Sequence, residues 1–187
     1  MYKIMEVEER IRVPPENLSM KVKDAVKQSI AQQLEGTLDS RLGVILACIS
    51  VDDVAEGKII AGDPGVHYNT KFKLLVYKPE VNELTFGEVI DNTEFGAFVR
   101  IGPMDGLVHI SQLMDDFVSF DNKNSVFLGK ESKRTLKEGD LLRARIIAVS
   151  FGKEENKIGL TMRQSGLGSL TWLADEKKKQ KKVAAKE

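Results

Sequence analysis

Residues 87–111 constrain the fold more than any other part of the chain, because apolar and polar residues alternate there between glycine-containing turns. Three apolar residues recur at every second position: Ala97, Val99 and Ile101. Such alternation is typical of a strand with one buried face, so it predicts that Phe98 and Arg100 point away from the core. The sequence Gly-Pro-Met-Asp-Gly at 102–106 then reverses the chain. Short strands joined by such turns predict a small β-barrel.

Two aromatic rings and one histidine in this stretch are candidates for base stacking. Phe95 is out of phase with Phe98, but Gly96 between them suits a bulge that would turn both rings onto one surface. His109 follows on the next strand. Exposed rings of this kind stack on the bases of single-stranded nucleic acid. The alternative, in which Phe98 fills the interior of the barrel, stays open at this point.

Two blocks of the sequence resemble the S1 domain, an RNA-binding module with an OB fold. The first block reads Phe-Gly-Ala-Phe-Val at 95–99, followed by the glycine-rich turn and Gly-Leu-Val-His-Ile-Ser at 106–111. The second block, at 136–149 and 156–163, resembles the last two strands of that module. Together the blocks span residues 82–164. The resemblance implies an all-β OB barrel that binds RNA on its surface.

Seven residues are the RNA-binding candidates: Phe95, Phe98, Arg100, His109, Arg143, Arg145 and Lys157. The three rings would stack on bases, and the four cations would lie near phosphates. Arg143 and Arg145 alternate on one strand face, which is either a phosphate-facing ridge or a solvated face. Ser150 departs from the resemblance, because RNA-binding S1 domains often carry an aspartate at that position.

The first 80 residues show a different pattern, in which one helical stripe is interleaved with strands. Periodicity predicts a strand at 2–13, a helix at 18–34 and strands at 42–51 and 66–77. Pro14 and Pro15 end the first strand because their ring-fixed φ angles do not continue a ladder, and Gly36 is a stop signal for the helix. This order of elements predicts an α+β domain with one helix on an antiparallel sheet.

This N-terminal pattern, joined to an S1 barrel, resembles the family of archaeal RNA polymerase stalk subunits known as E-prime, the counterpart of the larger stalk subunit of eukaryotic polymerase II. The resemblance implies a truncated ribonucleoprotein-like fold whose tip loop docks on the polymerase core. Carried over onto this sequence, the docking residues are Ile59, Ile60, Gly62, Asp63, Pro64, Gly65 and Val66. The implied partners are the smaller, helical stalk subunit of that polymerase, the polymerase core and single-stranded RNA.

The function implied by this resemblance is that of a non-catalytic stalk subunit of archaeal DNA-directed RNA polymerase. It would form a heterodimer with the smaller stalk subunit, dock on the core and bind emerging single-stranded RNA. The alternative is a free-standing S1-domain RNA-binding protein in translation or RNA decay. The apolar, turn-rich segment at 59–66 separates the two hypotheses, because a free-standing RNA-binding protein has no need of it.

We expect three regions: a docking domain at 1–80, an S1 domain at 81–170 and a Lys-rich C-terminal tail at 171–187. The S1 domain carries an insertion at about 115–135, in which Phe117, Phe120 and Phe127 need cover. The insertion and the segment at 77–86 between the two domains hold more apolar surface than two small domains can bury, and the apolar residues at 167–173 add to it. Because exposed apolar patches usually mark interfaces, this surplus also predicts a protein partner.

The chain has 28 basic and 28 acidic residues, and residues 81–165 carry two more acids than bases (13 against 11), so any RNA contact is expected to be local. Neither a phosphate loop nor a His-Glu-x-x-His motif is present, which predicts no catalytic site and no cofactor. Cys48 is the single cysteine; we expect it to be buried, and we expect no metal site. Without a secretion signal or the ~20 apolar residues of a membrane span, a cytoplasmic protein is expected.

Overall fold

The computed structural model describes residues 1–152 and 156–184, with side chains through residue 178. The chain divides into two compact units, Met1–Lys78 and Pro79–Glu187. Each unit has its own cluster of buried apolar side chains, so each is organised around a separate core.

The first unit is an antiparallel sheet with one helix packed on it. Its elements are β1 (Tyr2–Val13), α1 (Val22–Leu34), β2 (Leu38–Asp39), β3 (Gly43–Val54), β4 (Lys58–Ile59) and β5 (Val66–Tyr77). The strands lie in the order β1-β5-β3-β2, and the short β4 pairs with the first two residues of β5. The predicted α+β arrangement of one helix on an antiparallel sheet is therefore confirmed.

Helix α1 buries the middle of the predicted apolar stripe but not its beginning. Val26 and Ile30 are fully buried and pack with Phe72 of β5. Residues Pro15–Asn17 form a short 3-10 turn, and Lys21 is extended, so the α-helix begins only after Lys21. Leu18 consequently lies outside the helix and is exposed, and the prediction of a helix start at this residue is wrong.

The second unit is a closed barrel with an insertion and a C-terminal helix. Its elements are β6 (Leu84–Thr93), β7 (Gly96–Ile101), β8 (Met104–His109), β9 (Val118–Asp121), β10 (Val126–Gly129), β11 (Thr135–Leu136), β12 (Leu141–Phe151), β13 (Asn156–Thr161), β14 (Gly168–Ser169) and α2 (Leu170–Ala184). The barrel strands lie in the order β13-β8-β7-β6-β12-β14, and β13 also pairs with β12, which closes the sheet. The predicted OB barrel is confirmed. Its core holds the three alternating residues of β7: Ala97, Val99 and Ile101.

The insertion between β8 and β12 is a three-stranded sheet, β11-β10-β9, that covers one part of the barrel core. Phe127 of β10 is fully buried in that core, and its ring centroid lies 5.0 Å from that of the half-buried Phe120. Phe117 differs, because this residue is 68% exposed and the ammonium group of Lys130 lies 4.4 Å from its ring centroid. Two of the three phenylalanines are thus covered within the chain, and the third is not.

Asp116 ties the two ends of the insertion together. Its carboxylate accepts hydrogen bonds from the backbone N–H and the hydroxyl of Ser132, at 2.9 and 2.7 Å, and from the backbone N–H of Glu131. The bonds from Ser132 are the main reason that the pKa of Asp116 falls to about 2. A carboxylate that accepts several such bonds is held ionised, so this closure is charged at neutral pH.

The C-terminal segment is part of the barrel rather than a separate tail. The indole N–H of Trp172 donates to the backbone carbonyl of Thr135 at 3.0 Å, and Arg134 lies over the indole ring and pairs with Glu176. Three residues that we expected to offer apolar surface to a partner are instead buried: Leu167, Trp172 and Leu173. The expectation of a tail from residue 171 is therefore wrong at its beginning, because the first turn of α2 helps to close the barrel core.

Candidate nucleic-acid groove and docking tip

A groove of about 850 Å³ runs along the barrel between β7 and β8 on one side and β12 and β13 on the other. It is lined largely by apolar and aromatic side chains, with a few polar groups among them. Six of the lining residues matter for its chemistry: Phe95, Phe98, His109, Ile147, Ser150 and Lys157. A groove of this composition, open to solvent on a barrel face, is suited to a flat ligand that stacks.

The two phenylalanine rings lie on the same surface, edge to face. Their centroids are 5.9 Å apart with the ring planes at 88°, and Phe95 is half exposed. Gly96 does not form the expected bulge, which lies on the neighbouring strand at Ile90. Phe95 instead reaches the surface because it lies in the turn between β6 and β7. Gly96 is required for a different reason, since a Cβ there would lie 2.3 Å from the carbonyl oxygen of Val108.

His109 presents a hydrogen-bond donor to the groove. Its Nδ1 accepts the backbone N–H of Ser111 at 3.3 Å, and it lies 2.9 Å from the hydroxyl oxygen of the same residue. Because a neutral imidazole has one N–H, occupation of Nδ1 as an acceptor places the proton on Nε2. The exposed edge of the ring can therefore donate to a base or a phosphate oxygen.

A bulge in β12 adds an apolar wall to the groove. In the pairing of β12 with β13, Ile146 lies opposite Leu160 and Ala148 lies opposite Gly159, so Ile147 has no partner. The extra residue breaks the alternation, and Ile147 and Ala148 both become exposed and line the groove. Sequence reasoning missed these residues, because strict alternation places one of them in the core.

The four basic candidates do not all lie in the groove. Lys157 lines it, whereas Arg100 is engaged across the hairpin by Asp105, with Nε 3.2 Å from Oδ1. Arg143 lies nearer the beginning of β12, opposite Phe86 in register, and its guanidinium is 5.4 Å from the centroid of that ring. Arg145 lies in register opposite Leu84, away from the groove lining. Four of the seven candidates therefore converge on the groove: Phe95, Phe98, His109 and Lys157.

The segment at 59–66 forms a turn between β4 and β5 at the end of the first unit. Its most exposed apolar side chains are Ile59, which is 80% exposed, and Ile60, which is 43% exposed. Gly62 has a φ of +88°, a conformation that favours glycine, and a Cβ there would meet no neighbour. Pro64 is also exposed. The outward part of the tip is thus apolar, and its turn depends on the positive φ of Gly62.

The other three predicted docking residues face inward. Val66 is half-buried and pairs in register with Val13 and with Ile59. Gly65 is buried, and a Cβ there would lie 3.0 Å from the carbonyl oxygen of Val13. Asp63 turns toward the sheet, where it accepts hydrogen bonds from other parts of the first unit. The predicted docking set therefore separates into an outer group and a supporting group.

The carboxylate of Asp63 is the most heavily bonded group of the tip. Arg12 of β1 donates from Nε, at 2.8 and 3.0 Å, and from Nη2 at 2.7 Å. The ring Nε2 of His67 lies 2.8 Å away, and the backbone N–H of Gly65 donates at 2.9 Å. The Arg12 bonds are the largest cause, and the Gly65 bond the next, of a pKa for Asp63 well below its usual range. Sequence reasoning missed Arg12, which is 51 residues away from its partner.

Metal and thiol chemistry find little support in this geometry. Across residues 1–152 and 156–184 there is no group of three or more His, Cys, Asp or Glu side chains that could hold a metal ion. Cys48 lies in the core of the first unit, and burial raises the pKa of its thiol. Neither helix in the described part of the chain combines the length and the apolarity needed to cross a bilayer.

Two family models match the chain, one on each unit. Residues 8–64 match the SHS2 domain found in the N terminus of Rpb7p/Rpc25p/MJ0397. Residues 78–163 match the S1 RNA binding domain. The first match ends within the segment at 59–66, and the second includes every residue that lines the groove.

Several relatives are similar along nearly their whole length. DNA-directed RNA polymerase subunit Rpo7 of Saccharolobus shibatae is 36% identical over 180 residues, which are 95% of this chain and 100% of the relative. The Rpo7 subunit of Sulfolobus acidocaldarius is 35% identical over 94% of this chain and 97% of its own length. DNA-directed RNA polymerase II subunit rpb7 of Dictyostelium discoideum is 25% identical over 78% of this chain and 86% of its own length.

Proposed function

Since the chain belongs to the Rpo7 family of DNA-directed RNA polymerase subunits, we propose that it docks on the polymerase core through its tip, pairs with a smaller helical subunit and guides emerging single-stranded RNA along its groove. It is a stalk subunit of the polymerase, and the relatives that span the chain argue against a free-standing RNA-binding protein. The catalytic step is assigned in this proposal to other subunits, and the complex to the cytoplasm.

The groove supports RNA binding through the arrangement of Phe95, Phe98 and His109. Two rings at 5.9 Å offer stacking faces, and the Nε2–H of His109 offers a donor beside them. Stacking contributes roughly 1–3 kcal/mol per base and tolerates any base. A subunit that has to accept every transcript is served by that tolerance. Little base specificity is therefore expected.

Ion pairing with RNA contributes less in this proposal. Lys157 lies in the groove, but Arg100 is engaged by Asp105, and residues 81–165 carry two more acids than bases. Arg143 and Arg145 would contact phosphates only if the strand continued from the groove along β12. Affinity for RNA is consequently expected to be modest in the absence of the rest of the polymerase.

RNA binding is tested on the heterodimer with a single-stranded oligonucleotide. Replacing Phe98→Ala and His109→Ala together should weaken binding by about 2 kcal/mol, or roughly thirtyfold, through lost stacking. Leu128→Ala is the control, because this exposed apolar side chain lies on the insertion and does not line the groove. Equal affinities for all three proteins would mean that RNA, if bound, runs elsewhere.

Exposed apolar side chains support the proposed heterodimer. Leu84 and Phe86 on β6, and Leu141 on β12, project from neighbouring strands of the barrel and are all exposed. Phe117 on the insertion is a further exposed ring. Such surface usually marks a partner, and the family implies a smaller helical subunit. Co-purification through a tagged chain tests this: the proposal requires both that smaller subunit and the core to be retained.

A further inference from the structure

The docking tip has an internal support that none of its outward residues provides. Arg12 belongs to β1, at the edge of the sheet, and lies in register opposite His67 of β5. These two side chains reach the same carboxylate, that of Asp63, from neighbouring strands. We propose that Arg12 and Asp63 are positioning residues for docking: their ion pair, completed by His67, holds the turn on the sheet so that Ile59 and Ile60 face outward. This inference rests on the docking role proposed for the tip.

The geometry of the pair gives it directional strength. Arg12 bonds to both carboxylate oxygens, with Nη2 to Oδ1 at 2.7 Å and Nε to Oδ2 at 2.8 Å. A two-point contact between a planar guanidinium and a carboxylate fixes orientation as well as distance. The same carboxylate accepts the N–H of Gly65, and the N–H of Asp63 donates to the carbonyl of Ile60 at 3.1 Å. The side chain and the backbone of one residue therefore shape the whole turn.

The turn has few other restraints. Strand β4 is two residues long and is joined to the sheet only through its pairing with Val66 and His67. Gly62 stands in open space, and Ile59 is 80% exposed. A loop with so little packing would lose much conformational entropy on docking unless it were ordered beforehand. The Arg12–Asp63 pair supplies that order before the partner arrives.

The same pair determines what kind of socket the tip fits. The negative charge of Asp63 is compensated by Arg12 within the first unit, and its oxygens are occupied by three donors. The tip therefore does not need a cation from its partner at this position. What it presents is two adjacent isoleucines, so the matching surface on the polymerase is an apolar socket.

The experiment measures association of the full chain, as heterodimer, with immobilised polymerase core. Asp63→Asn keeps the size and one acceptor for the Gly65 N–H but removes the charge, and Arg12→Gln removes the cation. Each should weaken docking about tenfold, mainly through slower association, because the tip is no longer held in its docking conformation. Arg12→Lys, which keeps the charge, should recover part of the loss. Arg10→Gln is the matched control on the same strand, with no bond to the tip among those described, and should bind as the unchanged protein does.

Two readouts separate positioning from general stabilisation. In Asp63→Asn, hydrogen exchange at the amides of residues 60–63 and of Gly65 should rise at least severalfold, while exchange in the core of the first unit stays constant. The double variant Arg12→Gln, Asp63→Asn should be no worse than either single variant, because both break one interaction. Additive losses, or unchanged docking with faster exchange, would overturn the proposal.

A separate variant distinguishes the docking role of the tip from the positioning role of Arg12 and Asp63. Ile59→Ala combined with Ile60→Ala tests docking by the tip itself. If that protein binds the core normally, the docking role is wrong. If it binds poorly while Asp63→Asn binds normally, the docking role survives and the positioning role of Arg12 and Asp63 is wrong.

Discussion

The proposed docking tip and the proposed RNA groove use their polar groups in opposite ways. At the tip, the carboxylate of Asp63 is bound within the chain by Arg12 and His67, and two isoleucines face outward. In the groove, the backbone N–H of Ser111 donates to Nδ1 of His109 and leaves Nε2 available to donate beside the rings of Phe95 and Phe98. A charged residue in a segment proposed to bind a partner can thus have a structural role, while in the proposed RNA site a ring edge is left available to donate.

The two regions also differ in how their backbone is held. A Cβ at Gly96 would lie 2.3 Å from the carbonyl oxygen of Val108, so this position has no room for a side chain. A Cβ at Gly62, which has a positive φ, would meet no neighbour. The backbone beside the groove is therefore tightly packed within the barrel, whereas the tip is shaped by one side-chain network. Mutations, salt and acid should consequently affect the two regions differently.

The largest expected effect is a separation of the two binding activities. Ile59→Ala with Ile60→Ala should cost about 3 kcal/mol in affinity for the polymerase core, because buried apolar anchors dominate interfaces. The same protein should bind single-stranded RNA unchanged. Phe98→Ala with His109→Ala should show the reverse. Equilibrium binding of both variants to both ligands checks this, and a variant that loses both activities would argue against two independent regions.

A matched pair of glycine substitutions tests how each region is held. Gly96→Ala places a Cβ 2.3 Å from the Val108 carbonyl oxygen and should destabilise the second unit by about 2–3 kcal/mol through overpacking. Gly62→Ala meets no neighbour and should cost only about 1 kcal/mol, the backbone strain of a positive φ. Urea denaturation of the two variants measures both values. Equal losses would contradict the difference in packing.

Salt should also affect the two binding activities differently, and by less than the substitutions do. If the groove contacts two phosphates, the slope of about −0.7 per phosphate gives roughly a sevenfold loss of RNA affinity between 50 and 200 mM salt. Docking through two isoleucines should change less than about twofold over that range, because no ion pair with the partner is formed. Binding measured across a salt series provides the comparison. A steep salt dependence of docking would point to charged contacts at the tip.

Acid should have the smallest of these effects, and at the tip it acts through Asp63. The folded-state pKa of Asp63 lies below its ordinary value of 3.8, so its bonds contribute stability above that pH and lose it as pH falls further. Asp63→Asn removes this dependence. We expect the Gly65 amide resonance of the unchanged protein to titrate with a midpoint well below 3.8, followed by NMR. A midpoint at or above 3.8 would show that the Arg12 pair is not formed in solution.

Local sequence patterns predicted those parts of the fold that depend on neighbouring residues. The alternation of Ala97, Val99 and Ile101 correctly predicted which face of β7 is buried, because a strand with one buried face has period two. The isoleucine pair of the tip was likewise visible as an apolar run beside turn residues. In both cases the order of residues along the chain was sufficient to predict the feature.

Features that depend on distant residues were not predictable. The bulge at Ile147 arises from closing β12 onto β13, so local alternation could not reveal it. The pairing of Arg12 with Asp63 depends on the register of β1 with β5. Trp172 was counted as surface because nothing near it in sequence shows that Thr135 accepts its N–H. Tertiary context decided each of these positions.

The place of Trp172 has a consequence for how the protein is made. The two units form in chain order during synthesis, and the first is complete once residue 78 has left the ribosome. Because Trp172 belongs to the core cluster of the barrel, we expect that core to be incomplete until residue 172 has also emerged. Nascent chains therefore carry an unfinished barrel for most of the second unit's translation, and a stop codon just before residue 172 should release a polypeptide prone to degradation.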